Sequence, residues 1–227
     1  MDDPYLYPGT RVLRNELGLT EPRALERAEH EYVLRRMSQG LPAGDFSYAH
    51  LKAIHWHLFQ DVYDWAGDAR IVEMVKDDTI FCPSSHVDEQ MQQISDDLAA
   101  EYQLAGLGPQ AFAQRAGHYL CAINAVHPFR EGNGRAQRAF LGLLAEEVGH
   151  PIDWSRITPE QMRTASIAGM SGREQPMCDL LARAIHSQHE IARSQESPQQ
   201  KRREQARRQS QGWFEDLSPD RSHGRTR

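Results

Sequence analysis

Twelve consecutive residues, from His127 to Arg138, concentrate the side chains that chemistry on a phosphate requires. Gly132 and Gly134 flank an asparagine just ahead of an apolar helical repeat, so backbone N–H groups can approach an anion at a helix N-terminus. The two arginines that follow lie three residues apart and can clamp phosphate oxygens. Glu131 offers a hard oxygen ligand, as Mg²⁺ held mainly by nucleotide phosphates requires. The stretch therefore predicts an anion site with a metal ligand beside it.

His127 precedes this anion site and is the residue there that can take a proton near neutral pH. Each part alone also has an ordinary structural interpretation, because a single histidine is usually hydrogen-bonded, Gly-Asn-Gly is often a turn and spaced arginines usually form a solvated face. The stretch is not a phosphate loop ending in Gly-Lys-Ser/Thr. Nor is it the dinucleotide fingerprint Gly-x-Gly-x-x-Gly, because Gln137 stands where the last glycine would be.

The elements around the stretch are mostly helical, since seven segments carry apolar residues at helical spacing. Thr20 predicts an N-cap for the first helix, Ser85 with Asp88 an acidic capping box for the third, and Thr158 the start of the sixth. The second stripe contains Leu51, the fourth starts at Pro109, the fifth starts near Asn133, and the seventh runs from Cys178 to Ile191.

One segment departs from the helical pattern. Residues 69–83 are rich in β-branched side chains on either side of a polar turn, which predicts two short strands. A lone hairpin is marginal in water, so we expect a small flap that packs on helices.

Charge is divided unevenly along the 227 residues, whose formal net charge is -6. Residues 192–227 carry a net of +4 and few apolar side chains, whereas residues 1–191 carry a net of -10. An acidic body argues against a generic nucleic-acid binder. The tail is expected to be a disordered tail or linker, because it cannot bury enough surface to offset its ordering entropy.

Three widely spaced cysteines argue for reduced thiols rather than a disulfide framework or a zinc site, and the remaining histidines are interpreted as structural or surface residues. We find no signal-peptide pattern at the N-terminus and therefore expect a cytoplasmic chain. Export by a specialised secretion system stays open.

The twelve residues resemble the signature of the Fic domain, His-x-Phe-x-Asp/Glu-Gly-Asn-Gly-Arg-x-x-Arg, at every fixed position. KDDTIFCP, residues 76–83, also resembles the flap hairpin of that family, and YPGTRVLRNELGL near the N-terminus resembles the start of bacterial Fic toxins. The resemblance extends over residues 5–190. It implies a mainly α, helical-bundle Fic domain over residues 1–191, with a β-hairpin flap over the active site.

The activity that the resemblance implies is AMPylation, the transfer of AMP from ATP to a Tyr, Ser or Thr hydroxyl of a target protein. His127 would then be the base and Glu131 the Mg²⁺ ligand, while Phe129 would anchor the loop in the core. Gly134 favours AMP transfer, because the phosphorylating branch of the family has a bulkier residue there. The residues implied for phosphate binding are Gly132, Asn133, Gly134, Arg135 for the γ-phosphate and Arg138 for the β-phosphate, with Lys76 and Asp77 near the nucleotide. The residues implied for pairing with the target are Thr79, Ile80, Phe81, Cys82 and Pro83.

Regulation and partners also follow from the resemblance. Many Fic proteins carry an inhibitory helix of pattern Ser/Thr-x-x-x-Glu-Gly/Asn, whose glutamate pairs with the first motif arginine. Here Glu131 is the one glutamate followed by Gly or Asn, and it lies in the motif itself, so we expect a separate antitoxin to supply the helix beside Arg135. DNA gyrase and topoisomerase IV are the targets that the toxin type implies. The alternatives are a secreted effector acting on host proteins, an inactive or target-docking module, and transfer of phosphate or another nucleotidyl group.

Overall fold

The computed structural model describes residues 3–76 and 79–185, with the backbone alone at Lys76 and Thr79. Seven α-helices form within these ranges. Their bounds are α1 Pro22–Ser38, α2 Tyr48–Phe59, α3 Val87–Ala100, α4 Pro109–Val126, α5 Asn133–Glu147, α6 Pro159–Met170 and α7 Gln175–Ala184. The fold is mainly α, as the sequence predicted. In the same ranges, no helix combines the length and the apolar composition that crossing a bilayer requires.

Helix α4 is the central element, and it packs against α3, α5, α6 and α7. Its completely buried side chains include Phe112, and at Gly117 the backbone of α7 approaches closely. Helix α2 packs against α1, α3 and α5, and its buried face includes Leu51 and Phe59. The two helices that flank the motif, α4 and α5, therefore belong to the middle of the core.

The two strands between α2 and α3 are β1, Val75–Lys76, and β2, Thr79–Ile80. They pair antiparallel, with Val75 opposite Ile80. They are shorter than the expected span of residues 69–83, because the flanking backbone bonds to the helical body instead. The N–H of Cys82, for example, donates to the Ala125 carbonyl at the end of α4.

Two predicted helix starts are wrong. The N-cap of α1 is Glu21, whose carboxylate accepts from two N–H groups of the first turn, so Thr20 lies one residue outside. No capping box forms at Ser85, because Asp88 accepts a hydrogen bond from the Tyr48 hydroxyl of α2 instead. The capping box at Thr158, by contrast, is present.

The seventh helix also differs from its predicted span. It begins at Gln175 and ends at Ala184, because Ile185 is extended and forms a β-bridge with Ile152. Residues 186–227 lie outside the described residues. The expected tail over 192–227 and the histidines His186 and His189 fall there.

The close approach of α4 to α7 generates a prediction. A Cβ on Gly117 would lie 2.9 Å from the backbone N and Cα of Cys178. Gly117→Ala should therefore lower the free energy of unfolding by about 1–3 kcal/mol, because the helices must separate. The matched control is Gly142→Ala in α5, where the nearest atom would lie at 3.4 Å and the gain in helix propensity should stabilise by up to about 1 kcal/mol. Urea unfolding measures both, and equal effects would contradict the packing argument.

Candidate active site

The site is built on the six-residue connection between α4 and α5, residues 127–132. His127 caps α4 in the left-handed conformation, with φ 52° and ψ 64°, and its N–H donates to the Ile123 carbonyl at 3.0 Å. Gly132, with φ 79°, is the N-cap of α5. A Cβ on Gly132 would lie 2.3 Å from the Phe59 ring, so the turn requires glycine on both conformational and steric grounds.

Asn133 and Phe129 hold the inside of this connection. The Asn133 amide accepts from the Phe129 N–H at 2.9 Å and donates to the Phe129 carbonyl at 2.7 Å. The Phe129 side chain is completely buried, as expected of an anchor. The asparagine side chain is thus engaged with the loop, and its contribution to an anion site is its backbone N–H at the start of α5.

His55 in α2 supports the same connection through a hydrogen bond to its backbone. Gly67 donates its N–H to Nδ1 at 2.8 Å, so Nε2 carries the proton and donates to the Glu131 carbonyl at 3.0 Å. The ring is completely buried and stacks on Phe129 with a centroid separation of 3.8 Å. Burial lowers the pKa of His55 to about 3. The imidazole is therefore neutral and serves as a fixed donor to the motif.

Arg135 points into the body of the protein toward α1. Its Nη1 lies 2.7 Å from Oε1 of Glu29, its Nη2 lies 3.3 Å from Oε1 of Glu131, and its guanidinium sits 4.7 Å from the Phe59 ring centroid. The Tyr63 hydroxyl donates to the other oxygen of Glu29. The positive charge of Arg135 is therefore divided between two carboxylates. An incoming anion would compete with both of them for this charge.

The two carboxylates differ in environment. Glu29 is buried, and burial raises its pKa in spite of Arg135. The side chain of Glu131 is 46% exposed, and the pKa of Glu131 is lowered, because the cost of removing its charge from water is outweighed by Arg135 and by the Gly132 N–H, which donates to Oε1 at 2.8 Å. Glu131 is therefore the carboxylate that is both ionised and accessible.

The remaining motif residues lie on the first turns of α5. Gly134 is exposed, and the atom nearest to a Cβ built on it is Nη1 of Arg138 at 3.4 Å. Arg138 is itself buried. The structure thus brings Glu131 and Arg135 into contact at the N-terminus of α5, with Gly134 next to Arg138 on the first turns of that helix.

The segment after β2 lies against His127. The Phe81 ring stacks on the imidazole with a centroid separation of 4.0 Å and an interplanar angle of 26°. Ile80 is 74% exposed, whereas Phe81 is buried. Pro83 leads into a short 3₁₀ turn. Asp77 and the side chains of Lys76 and Thr79 lie outside the described residues, so their predicted roles stay predictions.

The segment that contains the motif matches a known protein family. Residues 45–145, which include the whole motif, match the Fic/DOC family. The chain is 39% identical to y4lH of Sinorhizobium fredii, named a probable protein adenylyltransferase, across 82% of this chain and 97% of that protein. The chain belongs to the Fic/DOC family. That membership confirms the resemblance, and the relatives named as protein adenylyltransferases indicate that the enzyme class is that of the nucleotidyltransferases.

Two further relatives show what the family shares with this chain. The protein adenylyltransferase VbhT of Bartonella schoenbuchensis is 42% identical across 81% of this chain, which spans 39% of the length of VbhT. The structure of BepC from Bartonella tribocorum, a VirB-translocated effector with bound AMPPNP, superposes with a TM-score of 0.75 at 32% identity, covering 81% of this chain and 97% of that one. The helical fold is therefore that of Fic domains.

Among the residues that support the motif, Glu29 was not predicted, and His55 was predicted only to be structural or on the surface. The structure gives His55 a structural role, and the residue lies at helical spacing from Leu51 and Leu58 on the buried face of α2. A histidine on an apolar stripe must find hydrogen-bond partners, and that was the available signal. Glu29 gave no comparable signal, because its partner Arg135 lies over a hundred residues further along the chain.

The neutral His55 generates a pH prediction. The unfolded chain binds a proton at this histidine below about pH 6.5, whereas the folded chain does so only near pH 3, so stability falls as the pH falls between these values. From pH 6.5 to 5.5, the wild type should lose about 1 kcal/mol more unfolding free energy than His55→Gln. Urea unfolding at both pH values measures this difference. An NMR titration of the wild type, in which the His55 ring becomes protonated above pH 5, would contradict it.

Proposed function

We propose that this chain is a protein adenylyltransferase that transfers AMP from ATP to a Tyr, Ser or Thr hydroxyl of a target protein. The observation that carries the proposal is the complete motif, in which His127 caps the end of α4 and Gly132 is the N-cap of α5 in the same six-residue connection. The names of the relatives and the AMPPNP bound to BepC support it.

The reaction needs one base and a site that neutralises charge. His127 takes the proton from the target hydroxyl, whose oxygen attacks the α-phosphorus of ATP. The bond from that phosphorus to the oxygen bridging to the β-phosphate breaks, and pyrophosphate leaves with the bonding electrons. Stacking on Phe81 and the left-handed backbone of His127 hold the imidazole in one place for this step.

The phosphates are held by the N-terminus of α5, where the free N–H groups and the helix dipole favour anions. Arg138 adds positive charge near the β-phosphate. Arg135 meets the γ-phosphate while remaining beside Glu29, which means that its charge is divided between them. The absence of a side chain at Gly134 leaves space on the first turn for the nucleotide.

Mg²⁺ fits the donor chemistry at Glu131. One oxygen of this carboxylate accepts the Gly132 N–H, while the side chain is half-exposed and ionised, so its other oxygen can reach a cation beside the phosphates. When bound, the ion would neutralise charge on the α- and β-phosphates. We expect Lys76 and Asp77 to lie near the nucleotide, and the segment 79–83 to receive the target as an added strand.

The transferred group can be determined directly. With host lysate, ATP labelled at the α-phosphate should label a protein, whereas ATP labelled at the γ-phosphate should not. His127→Ala should reduce α-labelling by about 10²–10⁴-fold, because the general base is lost. The matched control is His118→Ala, a histidine of α4 that pairs with Glu174 at 2.9 Å. Label from the γ-phosphate would indicate phosphate transfer, and unchanged labelling in His127→Ala would exclude His127 as the base.

We further propose that the chain is the toxin of a toxin–antitoxin pair, with a small antitoxin that inserts an inhibitory glutamate beside Arg135. The cis pattern for such a helix is missing from the sequence outside the motif. The carboxylate that Arg135 contacts from α1 is Glu29, which is followed by histidine rather than by glycine or asparagine. DNA gyrase and topoisomerase IV are the proposed targets.

The antitoxin proposal makes its own prediction. Expressed alone, the chain should arrest bacterial growth and label protein from α-labelled ATP, and co-expression of the neighbouring open reading frame should suppress both. His127→Ala serves as the control, because it should be harmless with or without the partner. A soluble, non-toxic and self-inhibited chain without any partner would contradict the proposal. A chain that labels only proteins of a eukaryotic lysate would favour an exported effector, the class to which BepC is assigned.

A further inference from the structure

Arg70, in the loop between α2 and β1, is a completely buried arginine whose guanidinium donates to backbone carbonyls. Nε donates to the His127 carbonyl at 2.8 Å, and Nη1 donates to the Val72 carbonyl at 2.7 Å. Nη2 donates both to Val126 at 3.1 Å and to Cys82. Four of the five guanidinium N–H groups are thereby accounted for.

These four carbonyls belong to two different parts of the site. Val72 and Cys82 flank the paired strands β1 and β2, whereas Val126 and His127 form the C-terminal end of α4. The Arg70 backbone N–H adds a further bond, to the Pro128 carbonyl at 2.8 Å. One side chain therefore joins both ends of the hairpin to the residue that carries the base.

The end of α4 has a specific need for such a partner. The last carbonyls of a helix receive no hydrogen bond from an N–H group of the same helix, and a cation nearby is favourable for them. His127 is also left-handed, which costs a non-glycine residue about 1–2 kcal/mol and persists only where the surroundings hold it. Arg70 meets both needs, since it satisfies the carbonyls of Val126 and His127 together.

The chemistry of the contact also favours arginine over lysine. A planar guanidinium directs donors to several sides at once, whereas an ammonium is a compact charge on a flexible stem. Burial lowers the pKa of Arg70 from its usual value, and the four carbonyl acceptors offset the cost of removing the charge from water. A purely electrostatic role would not need this number of directed bonds.

We propose that Arg70 is a positioning residue that fixes the distance between the strand receiving the target and His127, the base that acts on it. The proposal rests on the proposed function for the role of the strand. Two contacts that do not involve Arg70 also join the hairpin to the end of α4, and we call this boundary the seam. The Cys82 N–H donates to the Ala125 carbonyl at 3.1 Å, and the Phe81 ring stacks on His127. Arg70 is the member that holds both sides of the hairpin.

Hydrogen exchange of the full chain tests the coupling without any substrate. In Arg70→Lys, the amides of Cys82, of His127 and of position 70 should exchange roughly tenfold faster together, because their bonds lie along the loosened seam. The amides of α6 and α7 should be unchanged. The matched control is Arg115→Lys on α4, which loses bonds to Glu101 and should leave the three amides unaffected.

Two results would overturn the proposal. Unchanged exchange at Cys82 and His127 would show that Arg70 does not hold them, and uniformly faster exchange in every helix would show that it only stabilises the core. Should Arg70→Lys fail to fold, Arg70→Ala is compared with and without millimolar methylguanidinium. Protection restored at Cys82 and His127 supports the proposal, whereas no restoration contradicts it.

A functional measurement separates this inference from the proposed function. Affinity for AMPPNP should change less than about threefold in Arg70→Lys, since the N-terminus of α5 is untouched, while transfer at saturating ATP should fall roughly tenfold. Equal losses of binding and transfer would contradict positioning. If the wild type transfers no AMP, the proposed function fails, and the exchange experiment still decides whether Arg70 couples the hairpin to His127.

Discussion

The site depends on a connection of only six residues between the end of α4 and the start of α5. Such a short connection forces left-handed backbone at both of its ends, His127 and Gly132. Glycine accommodates this conformation without strain, but histidine does not. The surrounding structure must therefore hold His127 in place.

Three buried groups supply that support, each through a different interaction. Asn133 fixes the middle of the connection by bonding both backbone groups of Phe129, and neutral His55 holds the Glu131 carbonyl from α2. Arg70 holds the His127 carbonyl from the hairpin side. A buried polar group left without its partner costs about 1–3 kcal/mol, so these contacts restrict the loop strongly. The loop is held in one conformation because its backbone groups bond to buried side chains of the core.

Much of this arrangement could be predicted from the sequence, and two of the exceptions share a physical cause. The helices could be predicted from the local spacing of apolar residues, and the position of the motif from Gly-Asn-Gly. Both signals lie in neighbouring residues of the sequence. The capping box at Ser85 failed because Asp88 is taken by Tyr48 of another helix, and α7 ends early because Ile185 pairs with Ile152. In each case a contact between distant segments replaced the local preference.

The same limit applied to the supporting residues. Arg70 bonds to carbonyls, and every residue has a carbonyl, so no side-chain pattern in the sequence reports its partners. Glu29 pairs with Arg135, which lies over a hundred residues further along the chain. Motif residues could be singled out from their types and spacing, whereas the residues that orient them became visible only when the backbone was in place.

The acidic body of the chain and its anion site are reconciled by how Arg135 is used. Because Glu29 and Glu131 both lie next to this arginine, its charge is already compensated inside the protein. In the fold, Arg135 links α5 to α1 through its ion pair with Glu29. In the proposed reaction, the attraction for phosphate must then come mainly from the uncapped N-terminus of α5 and from Arg138, together with any cation at Glu131. Under the proposed function, directed N–H groups at short range, rather than the overall charge of the chain, thus favour a compact polyphosphate over an extended polyanion.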